Sequence, residues 1–201
     1  MSSLDAEHVD SDVLHGRWFS LVPLNSRHLP LLYELGFRDQ NSFRWRYRGT
    51  QPSFASFEQS LNAGVLCQFA ICPNNGTDEF VGLVVAYNAS PQDDFCYMAA
   101  ITDRKFGSGT VEAVALFLRY LFRYWPIRKI YLEALEFNVP QYASAVRLGI
   151  FREEGRLRDH HFFDDRYWDL ILYAIYREDA AKFVEDHANF LPEPELPGGT
   201  A

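Results

Sequence analysis

Residues 104–110 read RKFGSGT, follow an apolar run typical of a strand, and open the longest helical pattern in the chain. Because glycine has no Cβ, Gly107 and Gly109 let successive backbone N–H groups point into one concave site. The helix behind them adds the positive end of its dipole, and Arg104 and Lys105 add full positive charges. The segment therefore predicts a cradle for a pyrophosphate or a similar anion.

Two familiar phosphate-binding loops do not fit this segment. It is not a P-loop, because no Lys followed by Ser or Thr closes it at Walker spacing. It is also not the dinucleotide-binding fingerprint, because the third glycine is missing and no strand–helix–strand unit begins the chain. Gly-Ser-Gly also occurs in ordinary flexible turns, so the interpretation depends on the surrounding sequence.

Upstream of residues 104–110, apolar runs and turn residues predict four strands and two short helices. A hairpin turn is predicted over 73–78, where Pro, Asn, Gly and Asp cluster. Ser26 is predicted to cap the first helix, and Ser53 or Ser56 the second. The four predicted strands are Arg17–Leu24, Gln68–Cys72, Phe80–Tyr87 and Phe95–Ile101.

Downstream, a long amphipathic helix carries apolar residues from Val111 to Phe122 and stops before Pro126. Three further strands, a short helix ending at Gly149 and a charged surface helix complete the pattern. These elements predict an α/β fold with a mostly antiparallel sheet. The predicted downstream strands are Lys129–Leu135, Phe151–Leu157 and Arg166–Tyr176, and the helices are Gln141–Leu148 and Glu178–His187.

The two ends of the chain differ in composition from the middle. Residues 1–13 are polar and acidic and are predicted to form a flexible N-terminal tail. Residues 14–178 are predicted to form one domain, because they contain no internal repeat and no linker. Residues 179–201 are predicted to form a C-terminal helix and a tail rich in Pro and Gly.

The composition excludes several classes of function. A net charge of −8 at pH 7 argues against a protein that coats nucleic acid, which needs a basic surface. No run approaches the roughly 20 apolar residues that a membrane helix requires, and the acidic N-terminus is not a signal peptide. The three cysteines form neither a disulfide framework nor a zinc-binding spacing, so we expect a cytoplasmic protein without a metal site.

The loop and the sequence that follows it together resemble a known family. Arg104-x-x-Gly107-x-Gly109 resembles the acetyl-CoA signature Gln/Arg-x-x-Gly-x-Gly/Ala of the GNAT N-acetyltransferase superfamily. In that superfamily a strand and an Asn follow the helix, and a short helix then ends in Gly-Phe. Here Asn138 follows the predicted strand. LGIF at residues 148–151 ends the short helix, and Ile150 is one extra residue between Gly149 and Phe151.

The C-terminal part resembles the RimJ/RimL-like branch of this superfamily. Members of that branch carry Phe-x-x-Glu-Gly-x-x-Arg and then a strand with Tyr-x-Asp. Residues 151–158 read FREEGRLR, and Tyr167-x-Asp169 follows on the last predicted strand. The resemblance covers the chain from Gly16 to Arg177.

The resemblance implies a GNAT-like fold with a mixed sheet that is splayed in the middle and has helices on both faces. Acetyl-CoA, the implied cofactor, would lie where Phe95–Ile101 diverges from Lys129–Leu135. Its pantetheine arm would pair with strand backbone as a third strand would. The implied cofactor-binding residues are Ala99, Ile101, Arg104, Lys105, Phe106, Gly107, Ser108, Gly109, Thr110 and Asn138.

The chemistry of such an enzyme needs a neutral amine beside a thioester and groups that move its protons. The resemblance suggests Asp94 as a base acting through water, although Asp is also favoured in turns. Tyr97 is the second catalytic candidate, although an aromatic residue in a strand is more often part of the core, and Glu133 could also face the cleft. The backbone N–H of Ala99, on a strand expected to be bulged, would stabilise the oxyanion. Many members carry a Tyr seven residues after the Asn, where this chain has Ala145.

Residues 43–48 read FRWRYR, which places three arginines between three aromatic residues in an acidic chain. This segment lies between the two early helices, which usually line the acceptor site in the GNAT fold. It predicts acceptor contacts from Trp45 and Arg46, or alternatively an irregular segment whose aromatic face is packed. His160 or the adjacent His161, before the last strand, is a further candidate for the acceptor cleft.

The sequence therefore predicts an acyl-CoA-dependent N-acetyltransferase, in which a primary amine attacks the thioester directly in a ternary complex. The acceptor is a small molecule or a protein N-terminus, and exposed aromatic residues such as Phe162 suit either an acceptor pocket or a homodimer interface. Two alternative functions are compatible with the same predicted fold. The missing Tyr at position 145 favours a non-catalytic CoA-sensing domain, and residues 43–48 favour a transferase whose donor is an aminoacyl-tRNA, although the net acidity argues against nucleic acid.

Overall fold

The structure, a computed structural model, describes residues 13–38, 41, 45–77, 79–103, 105–106 and 110–187. Residues 1–12 of the predicted N-terminal tail (1–13) and residues 188–201 of the predicted C-terminal segment (179–201) lie outside the described residues. So do Arg104 and residues 107–109 of the predicted cradle.

Eight strands form one mixed sheet in the order β1-β2-β3-β4-β5-β6-β8-β7. Neighbouring strands are antiparallel except β5 and β6, which are parallel and therefore need a long crossover between them. This arrangement confirms the predicted α/β class with a mostly antiparallel mixed sheet. The strands are β1 (Leu14–His15), β2 (Phe19–Pro23), β3 (Val65–Pro73), β4 (Gly82–Ser90), β5 (Phe95–Thr102), β6 (Lys129–Leu135), β7 (Arg152–Phe163) and β8 (Arg166–Tyr176).

Helices cover both faces of the sheet, and each face has its own core. Cys96 and Met98 of β5 pack on one face with the long crossover helix, whereas Ile101 of β5 packs on the other face with the two early helices. This division follows from the strand period of two, which sends alternate side chains to opposite faces. The α-helices are α1 (Leu29–Phe37), α2 (Phe54–Ser60), α3 (Thr110–Tyr124), α4 (Ala143–Arg147) and α5 (Arg177–Asp186), and a 3-10 helix spans Glu136–Tyr142.

Helix α3 is the crossover between β5 and β6, and it is anchored at its first turn as well as along its apolar stripe. Phe117 and Leu121 are fully buried beneath the sheet. Glu112 is only 4% exposed, and its carboxylate accepts hydrogen bonds from the backbone N–H groups of Trp18 (3.0 Å) and Phe19 (2.9 Å). A carboxylate is favoured in the first turn of a helix, so the same residue suits the helix and fixes β2 to it.

Strands β5 and β6 pair over only three positions, which end at Tyr97 opposite Tyr131. Beyond that point β5 continues along β4 as far as Thr102, and β6 continues along β8 as far as Leu135. The two strands therefore diverge, and their facing edges no longer pair with each other. This is the splay in the middle of the sheet that the resemblance implies.

Two predictions about element ends have different outcomes. Ser53 caps α2 as predicted, because its hydroxyl accepts the backbone N–H of Ser56 at 3.2 Å. The prediction for Ser26 is wrong, since α1 begins after His28 and Ser26 lies in the preceding turn. Pro30 occupies the first turn of α1, where its missing N–H costs no helix hydrogen bond, and this favours the later start.

The last helix, α5, packs on the core, and the predicted boundary between residues 178 and 179 falls within this helix. One face of α5 is exposed, as expected for a charged helix, but Ala180 and Phe183 are buried in the core that contains α3. The Arg177 guanidinium also donates to the backbone carbonyl of Ile127 (3.0 Å). The core therefore extends through α5.

Strand β7 is longer and more irregular than the predicted strand at 151–157. Its register against β8 shifts at Glu154 and again between Leu157 and His161. Asp159, in the second irregularity, has a left-handed φ of 48°. These bulges hold a strand of mainly charged residues against β8 and change the direction in which the side chains after them point.

Candidate functional site

Three described residues beside the predicted cradle, Asp103, Lys105 and Phe106, form a hydrogen-bonded turn directly after β5. Asp103 accepts the backbone N–H of Lys105 at 3.1 Å. The Lys105 ammonium pairs with Glu79 and lies 4.8 Å from the ring centroid of Phe106. The Phe106 ring in turn packs against the main core. Helix α3 begins at Thr110, directly after the glycine segment, as predicted.

Ala99 and Ile101 lie on the part of β5 that borders the splay. They pair with Val85 and Leu83 of β4 on one side, so the opposite edge of this backbone faces the opening. The expected bulge at Ala99 is wrong, because the β4–β5 register runs without a shift from Tyr97 to Thr102. The extra residue lies instead in β4, between Tyr87 and Ser90.

Asn138 lies in the 3-10 helix that directly follows β6, on the other side of the splay. It is 6% exposed, and its Oδ1 atom is buried without a hydrogen-bond partner among the described residues. A buried amide oxygen without a partner destabilises the fold, and most such atoms in proteins are paired. A ligand N–H or O–H group that reaches this atom would satisfy it.

Ala145 stands where many GNAT members carry a Tyr, and the structure gives it a packing role. Its side chain contacts the main core, and its carbonyl accepts the backbone N–H groups of Ile150 (2.9 Å) and Phe151 (3.3 Å). Gly149 has a φ of +74°, a conformation that glycine adopts without strain as it ends α4. The extra residue in this turn, Ile150, is 7% exposed and buried in the core.

Tyr97 lies at the last paired position before the strands diverge. Its ring centroid is 5.4 Å from that of Tyr131 and 5.8 Å from that of Tyr87. Burial raises the pKa of the Tyr97 phenol, and the negative charge of Glu133 raises it further. Burial likewise raises the pKa of Tyr87 to about 12. Both phenols are therefore proton donors at neutral pH.

Glu133 lies on β6 just beyond the last paired position and faces the same side as Tyr97. Its Oε2 atom is 2.9 Å from the guanidinium Nη2 of Arg48, and the two side chains are 34% and 40% exposed. Arg48 and Gly49 both have a left-handed φ, which turns the chain over the sheet at this point. An ion pair this exposed contributes little to stability. A cationic group could therefore exchange with Arg48 at small cost.

The two adjacent histidines differ in their surroundings. His160, the residue predicted to contact the acceptor, is exposed. His161 is half-buried, and its Nε2 atom is buried without a hydrogen-bond partner among the described residues. Burial lowers the pKa of His161, and the positive charges of Arg48 and His160 lower it further. The structure thus favours His161, which sequence reasoning could not separate from its neighbour.

Asp94 lies at the opposite end of β5 from the splay. It is an exposed turn residue with a left-handed φ of 56°, and its carbonyl accepts the backbone N–H of Arg128 at 2.6 Å. This placement matches the alternative interpretation, in which Asp94 shapes the β4–β5 turn. Asp and Asn are the residues that tolerate this backbone conformation best after glycine.

Trp45 and Arg46 make structural contacts in place of the acceptor contacts that we expected. Trp45 is 8% exposed and packs so closely on Gly36 that a Cβ there would lie 2.7 Å from the indole ring. The Arg46 guanidinium donates to the backbone carbonyls of Ser60 and Leu61 at the end of α2, and the Ser60 carbonyl also accepts the backbone N–H of Ala63. The aromatic residues of this segment that the structure describes, Trp45 and Tyr47, are therefore packed, as in the alternative interpretation, whereas Phe43 and Arg44 lie outside the described residues.

A charged cluster around the buried Lys129 lies at the paired end of β5 and β6. Lys129 is 8% exposed, and its ammonium lies 2.7 Å from Oε2 of Glu154 on β7. The same carboxylate accepts the phenol O–H groups of Tyr131 (2.9 Å) and Tyr176. All of these groups are satisfied by one another, so the cluster joins β6, β7 and β8 rather than offering a binding site.

Three observations limit the chemistry of the described part of the chain. None of its helices is long and apolar enough to cross a membrane. It holds no group of three or more His, Cys, Asp or Glu side chains that could bind a metal ion. Its cysteines are free thiols, and burial raises the pKa of Cys67 and Cys96 to about 12, which makes both poor nucleophiles.

Comparison with known proteins finds solved structures that resemble this chain. No protein-family model and no curated protein sequence matches the chain. A GCN5-related N-acetyltransferase from Brucella melitensis superposes with a TM-score of 0.69 at 21% identity, over 90% of this chain and 86% of that chain. The spermidine N-acetyltransferase from Vibrio cholerae, in complex with CoA and spermine, superposes with a TM-score of 0.69 at 19% identity, over 81% of this chain and 98% of that chain.

At these identities the likeness concerns the backbone arrangement, since one fold can host many functions. The eight-stranded mixed sheet, the splay between β5 and β6 and the helix that opens after the glycine segment are thus parts of one architecture. The chain has the fold of the GNAT acetyltransferases.

Proposed function

We propose that this protein is an N-acetyltransferase that moves an acetyl group from acetyl-CoA to a primary amine, and that it belongs to the RimJ/RimL-like branch of the GNAT superfamily. One observation carries the proposal most directly. Asn138 lies in the 3-10 helix that directly follows the splayed part of β6, and its buried Oδ1 atom lacks a partner among the described residues. An extended ligand that supplies N–H and O–H groups would fit between the strands and satisfy this atom.

The donor side of the site is proposed from the elements around the splay. The β5 backbone at Ala99 and Ile101 would pair with the pantetheine arm, whose amide groups are the chemical equivalent of a strand. The start of α3 at Thr110 supplies free backbone N–H groups for a pyrophosphate, together with the segment at 104–109. Acetyl-CoA would supply the activated thioester.

The acceptor side is proposed on the face that carries Tyr97 and Glu133. Tyr97 would donate a proton to the leaving thiolate, because its raised pKa keeps the phenol protonated. Glu133 would hold the acceptor ammonium in exchange for Arg48. The raised pKa values of Cys67 and Cys96 make both thiols poor nucleophiles, which supports direct attack by the amine without a covalent acyl-cysteine. The exposed turn position of Asp94 leaves this residue outside the proposed proton path.

The class of acceptor stays open between small amines and protein N-termini. One solved structure with this fold is a complex of spermidine N-acetyltransferase with spermine, so a polyamine belongs in any panel of test substrates. A homodimer and a cytoplasmic location also remain predictions. The free thiols of Cys67 and Cys96 support a reducing compartment.

Calorimetric titration with acetyl-CoA tests the donor site, and release of the CoA thiol in the presence of primary amines tests turnover. The amines are spermidine, free amino acids and short peptides with free N-termini. Gly107→Glu is expected to abolish binding, because it adds a bulky negative group to the predicted cradle. Gly76→Glu adds the same side chain to a hairpin turn with open space around it; because its φ of +77° strains any side chain there, its fold is checked by circular dichroism, and binding is expected to be unchanged.

The outcomes separate the proposal from its alternatives. Binding that Gly107→Glu abolishes, with turnover of at least one amine, supports the proposal. Binding without turnover of any amine supports the non-catalytic CoA-sensing domain, which the missing Tyr at position 145 favours. No binding to the wild-type chain contradicts both and leaves the aminoacyl-tRNA donor.

A further inference from the structure

We propose that the acceptor is a small monoamine whose apolar substituent lies over Leu172, in a groove that the absence of a side chain at Gly155 keeps open. This inference rests on the proposed function and names the substrate class of the same site. It is carried by the strand register around Glu133, by the space at Gly155 and by the pairing of the polar groups around the groove.

The positions of Glu133, Leu172 and Gly155 form one row across β6, β8 and β7. Glu133 is opposite Leu172, and Leu172 is opposite Gly155, so all three positions face the same side of the sheet. Neighbouring strands lie about 4.8 Å apart, so the row extends about 10 Å from Glu133 to Gly155. Tyr131 precedes Glu133 by two residues, about 7 Å along the same face, and is opposite Tyr97. An ammonium group at Glu133 therefore lies one row from the paired tyrosines where the splay begins.

A bulge in β7 leaves a gap at the outer end of this row. The register of β7 against β8 shifts at Glu154, whose carboxylate accepts the O–H of Tyr131 at 2.9 Å on this face. A Cβ at Gly155 would lie 4.0 Å from the Cβ of Leu172, and outside its own chain neighbours it would meet no other described atom within that distance. Glycine thus leaves a space beside Leu172 that a larger side chain would fill.

The surface around this gap is apolar and accessible. Leu172, Tyr131 and Gly155 are each half-buried. Leu157, two residues beyond Gly155 and opposite Leu170, is 54% exposed on the same side of the sheet. An apolar group bound over Leu172 would leave water together with these side chains, which favours binding.

The charges at the groove fit one ammonium group. Among residues 129–135 of β6 and the residues of β7 and β8 that lie beside them, two carboxylates reach this face, those of Glu133 and Glu154. Glu154 is already held by Lys129 and by two phenol groups, whereas Glu133 is in an exposed ion pair with Arg48 that an ammonium group can replace. The further ammonium groups of a polyamine would lie over Leu172 without a counter-charge, which is unfavourable.

The backbone beneath the groove fits a substituent without hydrogen-bonding groups. At Leu170 and Leu172, β8 pairs with β6 on one side and with β7 on the other. Its N–H and C=O groups are therefore used within the sheet. A peptide acceptor would bring amide groups over this floor, and amide groups buried without partners weaken a complex. The groove thus favours a small amine over a protein N-terminus.

Acetylation of 2-phenylethylamine tests the groove, with ethylamine as an acceptor too short to reach Gly155. In the wild-type chain, kcat/KM for 2-phenylethylamine is expected to exceed the values for spermidine and for a tripeptide with an N-terminal Phe. In Gly155→Leu, the ratio of kcat/KM for 2-phenylethylamine to that for ethylamine is expected to fall about tenfold or more, mainly through KM, because the leucine fills the gap. The affinity for acetyl-CoA, measured by calorimetry, is expected to stay the same.

Glu153→Leu is the matched control, because it adds a leucine to the opposite face of β7, where position 153 pairs with Tyr173. It is expected to leave KM for 2-phenylethylamine unchanged. Gly155 does not have a left-handed φ, so a side chain there adds no backbone strain, and circular dichroism checks the fold of Gly155→Leu. If that variant does not fold, Gly155→Ala takes its place with a smaller expected loss, about threefold.

Three results would overturn this inference while leaving the proposed function intact. They are a larger kcat/KM for spermidine or for the tripeptide in the wild-type chain, an unchanged KM for 2-phenylethylamine in the Gly155 variant, and an equal loss for ethylamine in that variant. A wild-type chain that neither binds acetyl-CoA nor acetylates any amine is a different result, since it contradicts the proposed function itself.

Discussion

At the scale of single residues, Asn138 combines a cost in stability with a proposed role in binding. Its Oδ1 atom is buried without a partner among the described residues, so a leucine of similar size would remove an unsatisfied polar group. We predict that Asn138→Leu raises the free energy of unfolding by about 1 kcal/mol and weakens acetyl-CoA binding about tenfold, which corresponds to about 1.4 kcal/mol. Urea unfolding and calorimetry measure the two effects. A less stable variant with unchanged affinity would contradict the proposed role.

Tyr97 gives a second residue-scale prediction, which concerns the alkaline side of the pH profile. If its phenol donates a proton to the leaving thiolate, activity must fall as pH rises through the raised pKa of Tyr97, above the ordinary value of 10. Tyr97→Phe keeps the ring contacts with Tyr87 and Tyr131, and we expect it to lower kcat about 100-fold and to remove the alkaline limb. Tyr87→Phe, on the neighbouring strand, serves as the comparison. An equal effect of both variants would argue for a packing role.

The sequence predicted which residues lie near the site better than it predicted where their side chains point. It identified Tyr97 and Asn138 through the resemblance, and both border the splay. It offered His160 or His161 without separating the two, because no pattern in HH reveals the irregularity that precedes them in β7. It also could not decide whether Trp45 is packed or free, since that depends on close contact with Gly36, which is distant in sequence.

At the scale of secondary structure elements, Glu154 connects β7 to β6 and β8 through charged hydrogen bonds. Burial alone would raise the pKa of Glu154, but hydrogen bonds from Lys129, Tyr176 and Tyr131 outweigh burial and lower it below the ordinary value of 4.5. The stability that this carboxylate contributes is therefore present above about pH 4.5 and is lost as pH falls through the lowered pKa.

We predict that Glu154→Gln lowers the free energy of unfolding by about 2 kcal/mol at pH 7, since hydrogen bonds to a charged group are among the stronger ones. The difference from the wild-type chain should shrink as pH falls through the lowered pKa of Glu154 and disappear below it, where both side chains are neutral. Urea unfolding at a series of pH values measures this. Glu153→Gln, on the same strand, controls for the loss of one charge. A difference that is constant with pH would contradict the assignment.

The ends of elements with a clear apolar pattern were predicted to within a few residues. Elements that form only through contacts with residues distant in sequence were missed. The strands at Lys129–Leu135 and Arg166–Tyr176 match the prediction at both ends, because their buried runs are continuous. The short strand β1 was missed, since its two residues are strand only by pairing with β2. The C-terminal half of β7 was missed because it is mostly polar and depends on its partner β8.

At the scale of the whole molecule, the splay is possible because the core beneath it is continuous. One apolar cluster contains residues from β2 at one side of the sheet, from β8 near the other, and from α3 and α5 below both. This shared core holds the two parts of the sheet together where β5 and β6 no longer pair. The proposed donor site can therefore be open without a hinge, and binding would require little change of the backbone.

The net charge of the molecule supports a final prediction, which separates a CoA donor from a tRNA donor. The chain carries a charge of −8, so any anionic donor is held by a local site against overall repulsion. Added salt weakens the local attraction and also screens the repulsion, and these effects oppose each other. We predict that acetyl-CoA affinity changes by less than about tenfold between 50 and 200 mM NaCl, as measured by calorimetry. A nucleic-acid donor held by many phosphate contacts would lose about 1,000-fold or more over the same range, and a loss of that size in the rate of acyl transfer would favour the tRNA-dependent alternative.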